Sequence, residues 1–426
     1  MKVSLITRRH FFRFFTRKKL SMNKKNILLL LLTFFFFHIS FSQDLKRVRH
    51  FGKNKGHLKM YLHTPPNADK SKPAPMVVVL HGCLQCATKV QKQSGWSKLA
   101  DENGFYVLYP QQRFFNNPEK CFRWYKRKHT NKGRGENASI KKMVEYMQAN
   151  YAIDSSKIFI TGLSAGAAMS VVMMADYPET FNSGAVFAGG AYKAGNGYVS
   201  AAMAFLGWRV KPAEKWANIV RKQNPNYKGE YPRMIIYQGN SDWIVNKRNG
   251  VEIMKQWTSL HHISTTPTET IDGYLNVKDI HRLAYNSPTK KEAVVFYKVD
   301  KLSHALLVDP GKCKNQGGRR GFFSKDKNYN STLWTAYDFG LLKAPEIDGP
   351  HEALLKQTVT YSVPLTNGCT YEWTFPEGCT LVTDQNTNSI TLNWGASSGC
   401  INVTEMDANG CKKQFKTVFV TVRDFK

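Results

Sequence analysis

The chain has 426 residues, 42% hydrophobic and 22% charged, with a mean hydropathy of −0.42. These values exclude a polytopic membrane protein, a collagen-like rod and a wholly disordered chain, and the length suits two domains or one large domain with an appendage. The 61 Lys and Arg against 31 Asp and Glu leave a net charge of +30, which points to nucleic acid, an anionic polymer or a membrane surface until the charges are located.

The first 42 residues hold nine Lys or Arg and no acid. After a second possible start at Met22, Asn23-Lys24-Lys25-Asn26 precedes the apolar run Ile27–Phe37, and Ser40-Phe41-Ser42 places small residues at −3 and −1 of a cut before Gln43. A charged stretch, a short apolar run and a small-x-small site describe a secretory signal peptide. The run is too short for a transmembrane span, so stable membrane insertion is not expected. Residues 1–21 read as an extension ahead of the start. Loss of this segment takes the charge from +30 to +21, and Pro350–Lys426 carries six Lys or Arg against seven Asp or Glu, so about +22 belongs to residues 43–349.

From Pro75 onward, short apolar runs alternate with amphipathic stretches. Met76–Leu80 reads as a strand, Trp96–Asn103 as a helix, and Phe105–Tyr109 as a strand ended by Pro110. Ala138–Tyr151 has Ile140, Met143, Val144 and Met147 at helical spacing. Lys157–Thr161 is a strand, Ala165–Asp176 a helix, and Met234–Tyr237 and Val294–Tyr297 are further strands. This alternation predicts βαβ units, a mainly parallel sheet and one α/β domain over residues 43–343. Residues 344–355, with two prolines and a glycine, read as a linker. Thr358–Val363, Thr370–Phe375, Ser389–Trp394, Cys400–Glu405 and Lys416–Val422 are then short β-rich runs between turns, which predict a small all-β, immunoglobulin-like sandwich over residues 356–426.

Eight cysteines suit an exported protein. Cys83, Cys86, Cys121 and Cys313 lie in the large region, and Cys369, Cys379, Cys400 and Cys411 in the tail. Two bridges in each region are expected, with three connectivities apiece. Cys83-x-x-Cys86 has no second pair at zinc spacing, so neither a metal nor an organic cofactor is expected.

The chemistry centres on Gly162-Leu163-Ser164-Ala165-Gly166, where a strand runs into a helix. A nucleophile on so sharp a turn needs small neighbours, because side chains at the glycines would meet the crossing backbone. A serine hydroxyl also needs a base, and the base an orienting acid, in the order Ser, Asp, His for this arrangement. Asp242 follows the strand Met234–Tyr237, and His304 follows Val294–Tyr297. Asp300 and Asp309 are rival acids; His261, His262 and His281 are rival bases, none so close behind a strand. The alternative for Asp242 is a turn-capping role. Two backbone N–H groups must face the developing oxyanion. One is Ala165, and the other comes from the loop Leu80-His81-Gly82-Cys83, which a Cys83–Cys121 bridge would hold rigid.

Pro75–Gln85, Gly95–Phe105, Val107–Gln112, Cys121-Phe122-Arg123-Trp124, Gly162–Gly166, Asp242-x-x-Val245, Ser303-His304-Ala305 and Val308-Asp309-Pro310-Gly311 resemble, in order, the poly(3-hydroxybutyrate) depolymerase family of esterases, which includes feruloyl and acetylxylan esterases. The resemblance implies an α/β-hydrolase fold and ester hydrolysis through an acyl-enzyme. It implies Ser164, Asp242 and His304 as catalytic residues, Cys83 and Ala165 as oxyanion donors, and His81, Trp124 and Trp243 beside substrate. Family members often have Cys-Trp-Asn-Trp where this chain has Cys121-Phe122-Arg123-Trp124, a change that bears on substrate preference. The tail, through Trp373 and Trp394, resembles a PKD-like module; either tryptophan, if exposed, could stack on a polymer, and otherwise both are core.

The expected activity is a secreted serine esterase acting on a polymeric ester, either a feruloyl or acetyl ester of wall polysaccharide or a polyhydroxyalkanoate. A non-catalytic polymer-binding protein on the same fold is the alternative, against which the intact Ser, Asp and His stand. Lys46–Lys59 holds six basic residues and Lys120–Arg134 seven. Neither lies in a nucleic-acid module, so no nucleic-acid partner is expected. The second cluster instead suggests an acidic polymer near the cleft.

Overall fold

The computed structural model describes residues 45–69 and 71–423; the signal segment read over 1–42 lies outside them. Among the described residues twenty strands follow in chain order. The first ten are β1 (Lys46–Val48), β2 (Lys59–His63), β3 (Ala74–Leu80), β4 (Tyr106–Gln111), β5 (Ile153–Leu163), β6 (Ser183–Phe187), β7 (Arg233–Gly239), β8 (Glu269–Asp272), β9 (Ile280–Tyr285) and β10 (Val294–Val299). They form one sheet in the order β1-β2-β4-β3-β5-β6-β7-β10-β9-β8. The six strands from β4 to β10 are mutually parallel, with antiparallel pairs outside them on both margins.

The apolar run Met76–Leu80 explains this architecture. Met76, Val78 and Leu80 enter the core on one face of the sheet, while Val77 and Val79 enter the core on the other. Consecutive strand side chains point to opposite faces, so a strand covered on both sides must be apolar throughout. Helices Gly135–Asn150, Ala165–Asp176, Ala213–Arg221 and Arg248–Leu260 pack on the first face; Ala87–Ser94, Trp96–Asn103 and Ser331–Asp338 pack on the second. Aromatic rings cross three neighbouring strands. Phe187 stacks on Tyr237 and Tyr237 on Tyr297, each with centroids 4.4 Å apart. That ladder ties β6, β7 and β10 together just beneath the loops that leave their carboxyl ends.

The strand expected to stop at Pro110 continues to Gln111. Pairing of β4 with β3 ends at Leu108, whereas pairing with β2 runs on through Met60–Pro110 and Lys59–Gln111. A proline is tolerated where one side of the strand no longer has a ladder to complete.

A small pair, β11 (Leu306–Val308) with β12 (Ser324–Asp326), follows the main sheet. The remaining strands are β13 (Glu352–Leu354), β14 (Thr358–Ser362), β15 (Thr370–Thr374), β16 (Thr380–Leu381), β17 (Ser389–Asn393), β18 (Gly399–Met406), β19 (Lys412–Gln414) and β20 (Val418–Arg423). They make two facing sheets, β13-β20-β18-β15 with β19 beside β18, and β14-β17-β16. Residues 344–355 are part of this unit and not a free linker. Strand β13 pairs with β20, Glu346 bridges to Lys416, Asp348 bridges to Ser362, and Ile347 is buried in the sandwich core. Proline and glycine there bend a chain whose backbone groups still find partners.

Trp373 and Trp394 are both buried in that core, so neither offers a ring to a polymer. The expectation of two bridges per region is also corrected. Cys83 bonds to Cys121 within the hydrolase region, but Cys313 bonds to Cys411 in the sandwich, leaving Cys86, Cys369, Cys379 and Cys400 free. Sequence separation carries no information on which sulfurs the fold brings together.

Candidate active site

Ser164 is the hinge between β5 and the helix Ala165–Asp176, and its backbone takes φ 59°, ψ −122°. A non-glycine residue there is strained by about 1–3 kcal/mol and persists only where surrounding structure dictates it. The Ser164 N–H donates to Phe187 O at 2.8 Å, anchoring the turn to β6. A Cβ at Gly162 would lie 2.5 Å from the Gly166 carbonyl carbon, and one at Gly166 would collide with the carbonyl oxygens of Leu80 and His81. Both glycines are therefore required by close backbone crossings, as the motif suggested.

Asp242 and His304 come together from loops 62 residues apart in sequence. His304 Nδ1 lies 2.8 Å from Asp242 Oδ2, and both side chains are almost wholly buried. The other oxygen, Oδ1, accepts from the N–H groups of Ile244 at 2.9 Å and Val245 at 2.8 Å. Asp242 thus caps its own turn and also holds the imidazole. Strands β5, β7 and β10 run parallel, so Ser164, Asp242 and His304 all lie at one edge of the sheet.

The rivals are occupied elsewhere. His281 sits between Asp272 at 2.6 Å and Asp300 at 3.0 Å. Asp309 accepts from Gln316, His261 lies against Pro232 O, and His262 is exposed.

The N–H groups of Cys83 and Ala165 find no protein acceptor among the described residues. Gly82 brings its loop to Ser164, since a Cβ there would be 3.5 Å from Ser164 Cβ. Gln85, not singled out from the sequence although it closes the His81–Gln85 motif, accepts from Gly82 N–H at 2.7 Å through Oε1.

Two of the three residues expected beside substrate have buried side chains. His81 is fully buried; its Nδ1 donates to Gly82 O at 2.7 Å, and its Nε2 accepts from Gln112 N–H at 3.0 Å. Burial lowers its pKa to about 4, so the ring is neutral and serves as a brace for the loop. Trp124 is buried under Phe205, with stacked centroids 4.8 Å apart. Aromatic residues in a motif near the site look alike in sequence whether they line the cleft or support it.

Trp243, by contrast, is 76% exposed beside Asp242. It is one of several large apolar side chains left in water on segments that follow the carboxyl ends of the parallel strands. Leu84 follows β3; Phe114 and Phe115 follow β4; Tyr198, Val199, Leu206 and Trp208 follow β6. Phe322 stands edge-on to Phe323, which in turn packs edge-on against His304.

Arg123, where this chain departs from the usual family motif, pairs with the fully buried Glu136 at 3.7 Å and makes no part of an aromatic wall. Among the described residues no cluster of His, Cys, Asp or Glu could hold a metal ion.

Residues 58–269 match the family described as Esterase PHB depolymerase, and residues 342–420 match a PKD-like domain. Over 300 residues the chain is 38% identical to poly(3-hydroxyalkanoate) depolymerase C of Paucimonas lemoignei, covering 70% of each protein. It is 31% identical over 282 residues to feruloyl esterase B of Talaromyces funiculosus, covering 64% of this chain and 76% of that one. Among solved structures, the acetyl xylan esterase from Aspergillus awamori superposes with a TM-score of 0.57 at 27% identity, covering 61% of this chain and 94% of that one. An α/β-hydrolase sheet with a serine on its strand-to-helix turn, followed by a PKD-like sandwich, thus belongs to the PHB depolymerase family of esterases, and the chain is a serine hydrolase of carboxylic esters.

Proposed function

We propose that the protein is a secreted esterase that cleaves polymer-linked esters through an acyl-enzyme, with Ser164, Asp242 and His304 as the reacting set. Ser164 Oγ adds to the ester carbonyl carbon as His304 Nε2 takes its proton. The oxygen that becomes negative is held by the N–H groups of Cys83 and Ala165. His304 returns the proton to the departing alkoxide, leaving Ser164 acylated; water then repeats the sequence and releases the acid. Asp242 keeps Nδ1 protonated and stabilises the imidazolium. The short Asp242–His304 contact, the strained Ser164 backbone and the two unpaired N–H groups support these roles.

The observation that carries the substrate class is the collar of exposed apolar side chains around this edge, with Phe115 89% and Trp243 76% exposed. Exposed apolar side chains near a site favour a water-insoluble partner, because burying them there recovers roughly 25 cal/mol per Å². A polyhydroxyalkanoate is therefore preferred to feruloyl or acetyl esters of wall polysaccharide. The apolar run at Ile27–Phe37 and the disulfides support export.

Purified protein assayed on poly(3-hydroxybutyrate) suspension and on feruloylated and acetylated xylan tests the reading. Faster release of hydroxy acid than of ferulate or acetate is expected, and Ser164→Ala should lose about 10⁴-fold or more on any substrate. Hydrolysis retained in that variant would remove Ser164 as nucleophile, and activity confined to xylan would remove the polyester assignment.

A further inference from the structure

Two basic segments far apart in sequence meet on the surface of the hydrolase domain. Lys55 comes from the stretch before β2, and Arg127, Lys128 and Arg134 come from the segment between β4 and the helix Gly135–Asn150. Together with Asn131 and Gly135 they line a cleft of about 760 Å³. Lys55 Nζ donates to Gly133 O at 2.7 Å, which fastens one segment to the other.

No carboxylate lines this cleft. The acids nearby are already committed. Glu136 lies buried against Arg123 at 3.7 Å, and Glu179 pairs with Lys132 at 3.4 Å. The four cleft cations are exposed and enter no ion pair among the described residues. Their field is felt by the groups behind them. Burial first, then Arg123, Lys128 and Lys126, push His129 down to about 4, and burial and Arg127 both lower Lys193. Four like charges held in one concavity, with no internal counter-charge, repel one another until an anion enters.

We propose that this cleft is a binding site for a polycarboxylate chain, a uronate-bearing polysaccharide, gripped by Lys55, Arg127, Lys128 and Arg134. The guanidinium groups suit bidentate pairing with carboxylates. Single-stranded nucleic acid is disfavoured because no aromatic ring lines the cleft to take a base face. Such a site would hold the protein against an acidic matrix, and it is independent of which ester is hydrolysed at Ser164.

Electrophoresis of the full chain through gels containing polygalacturonate, dextran or duplex DNA tests the proposal, and it needs no catalysis. Strong, salt-sensitive retardation by polygalacturonate and none by dextran is expected. The variant Arg127→Gln/Lys128→Gln/Arg134→Gln should bind polygalacturonate about tenfold more weakly, as three exposed ion pairs would predict. The control Lys222→Gln/Lys228→Gln/Lys325→Gln removes the same charge from exposed positions outside the cleft and should leave binding intact. Unaltered thermal midpoints would establish that both variants are folded. Equal weakening in the two variants would mean that net charge alone acts and would overturn the site. Absence of retardation, or tighter binding to DNA, would overturn the carboxylate assignment.

Discussion

Ser164 shows how much one residue depends on its neighbours. Its left-handed backbone is maintained because Gly162 lets β5 approach the turn and Gly166 lets the helix cross the carbonyls of Leu80 and His81. Gly166→Ala must push the helix away from β3. We expect a loss of about 3 kcal/mol in stability, read by denaturant unfolding. A shift of 1 Å at Ser164, the proposed nucleophile, should also lower kcat about 10²-fold. His81 acts one step further out. Its neutral ring joins Gly82 to Gln112, so His81→Ala leaves the buried Gln112 N–H without an acceptor. That variant should lose about 1–3 kcal/mol. If His81 braces the loop that carries the proposed oxyanion donor, kcat should fall while KM stays close to the parent value. A KM effect with unchanged kcat would instead favour a contact with substrate.

At the scale of elements, the segment from Gln112 to Arg134 has only the one-turn helix Arg127–Thr130 and is held by buried polar groups. Gln112 Nε2 donates to Glu136 at 2.6 Å, and Arg123 N–H donates to the other carboxylate oxygen at 2.7 Å. The Cys83–Cys121 bridge then ties this segment to the loop that carries the proposed oxyanion donor. A second buried hub lies under it. Burial raises Asp176 to about 8, despite the Tyr192 hydroxyl beside it. Tyr192 Oη donates to Asp176 Oδ1 at 2.7 Å and lies 2.8 Å from Thr130 O, and Asn137 Nδ2 donates to Asp176 Oδ2 at 2.6 Å, but burial outweighs these bonds. The folded chain keeps a proton that the unfolded chain releases near pH 4, so stability falls as pH rises from about 4 to about 8. The thermal midpoint should decline through that window, and Asp176→Asn should lack this component. An unchanged slope in the variant would show that Asp176 is ionised when folded.

Considered whole, the molecule is not an enzyme trailing a loose module. The sandwich is fastened to the hydrolase domain by the Cys313–Cys411 bridge and by the 3.0 Å Lys416–Glu292 ion pair. Hydrogen bonds from Leu275 N–H to Thr417 and from Gln414 to Leu275 O add to these. Burial alone would raise Glu292, but Arg282 and Lys416 outweigh it and hold the carboxyl at about 2. Its contribution is present above the ordinary carboxylate pKa and is lost only as pH falls towards 2. Heating should therefore unfold both domains in one transition. Cys313→Ser/Cys411→Ser should cost about 2–4 kcal/mol and separate the transition into two. Two transitions in the parent protein would contradict this docking.

The sequence by itself determined the α/β sheet, the strand-to-helix serine, the loops carrying Asp242 and His304, and the change to a sandwich near residue 350. Each is a local signal: a period of two or 3.6, a glycine where backbones cross, or an acid just past a strand. Strand β6, rich in small residues, and the short margin strands β8 and β9 lacked such a signal and became strands through pairing with their neighbours. Only the tertiary structure decided that His81 and Trp124 lie inside, that Trp243 and Phe322 lie outside, and that Cys313 reaches across to Cys411. It also decided that Lys55 meets Arg127. Burial and contact between distant segments depend on how whole elements pack, and that packing is not written in any short stretch of residues.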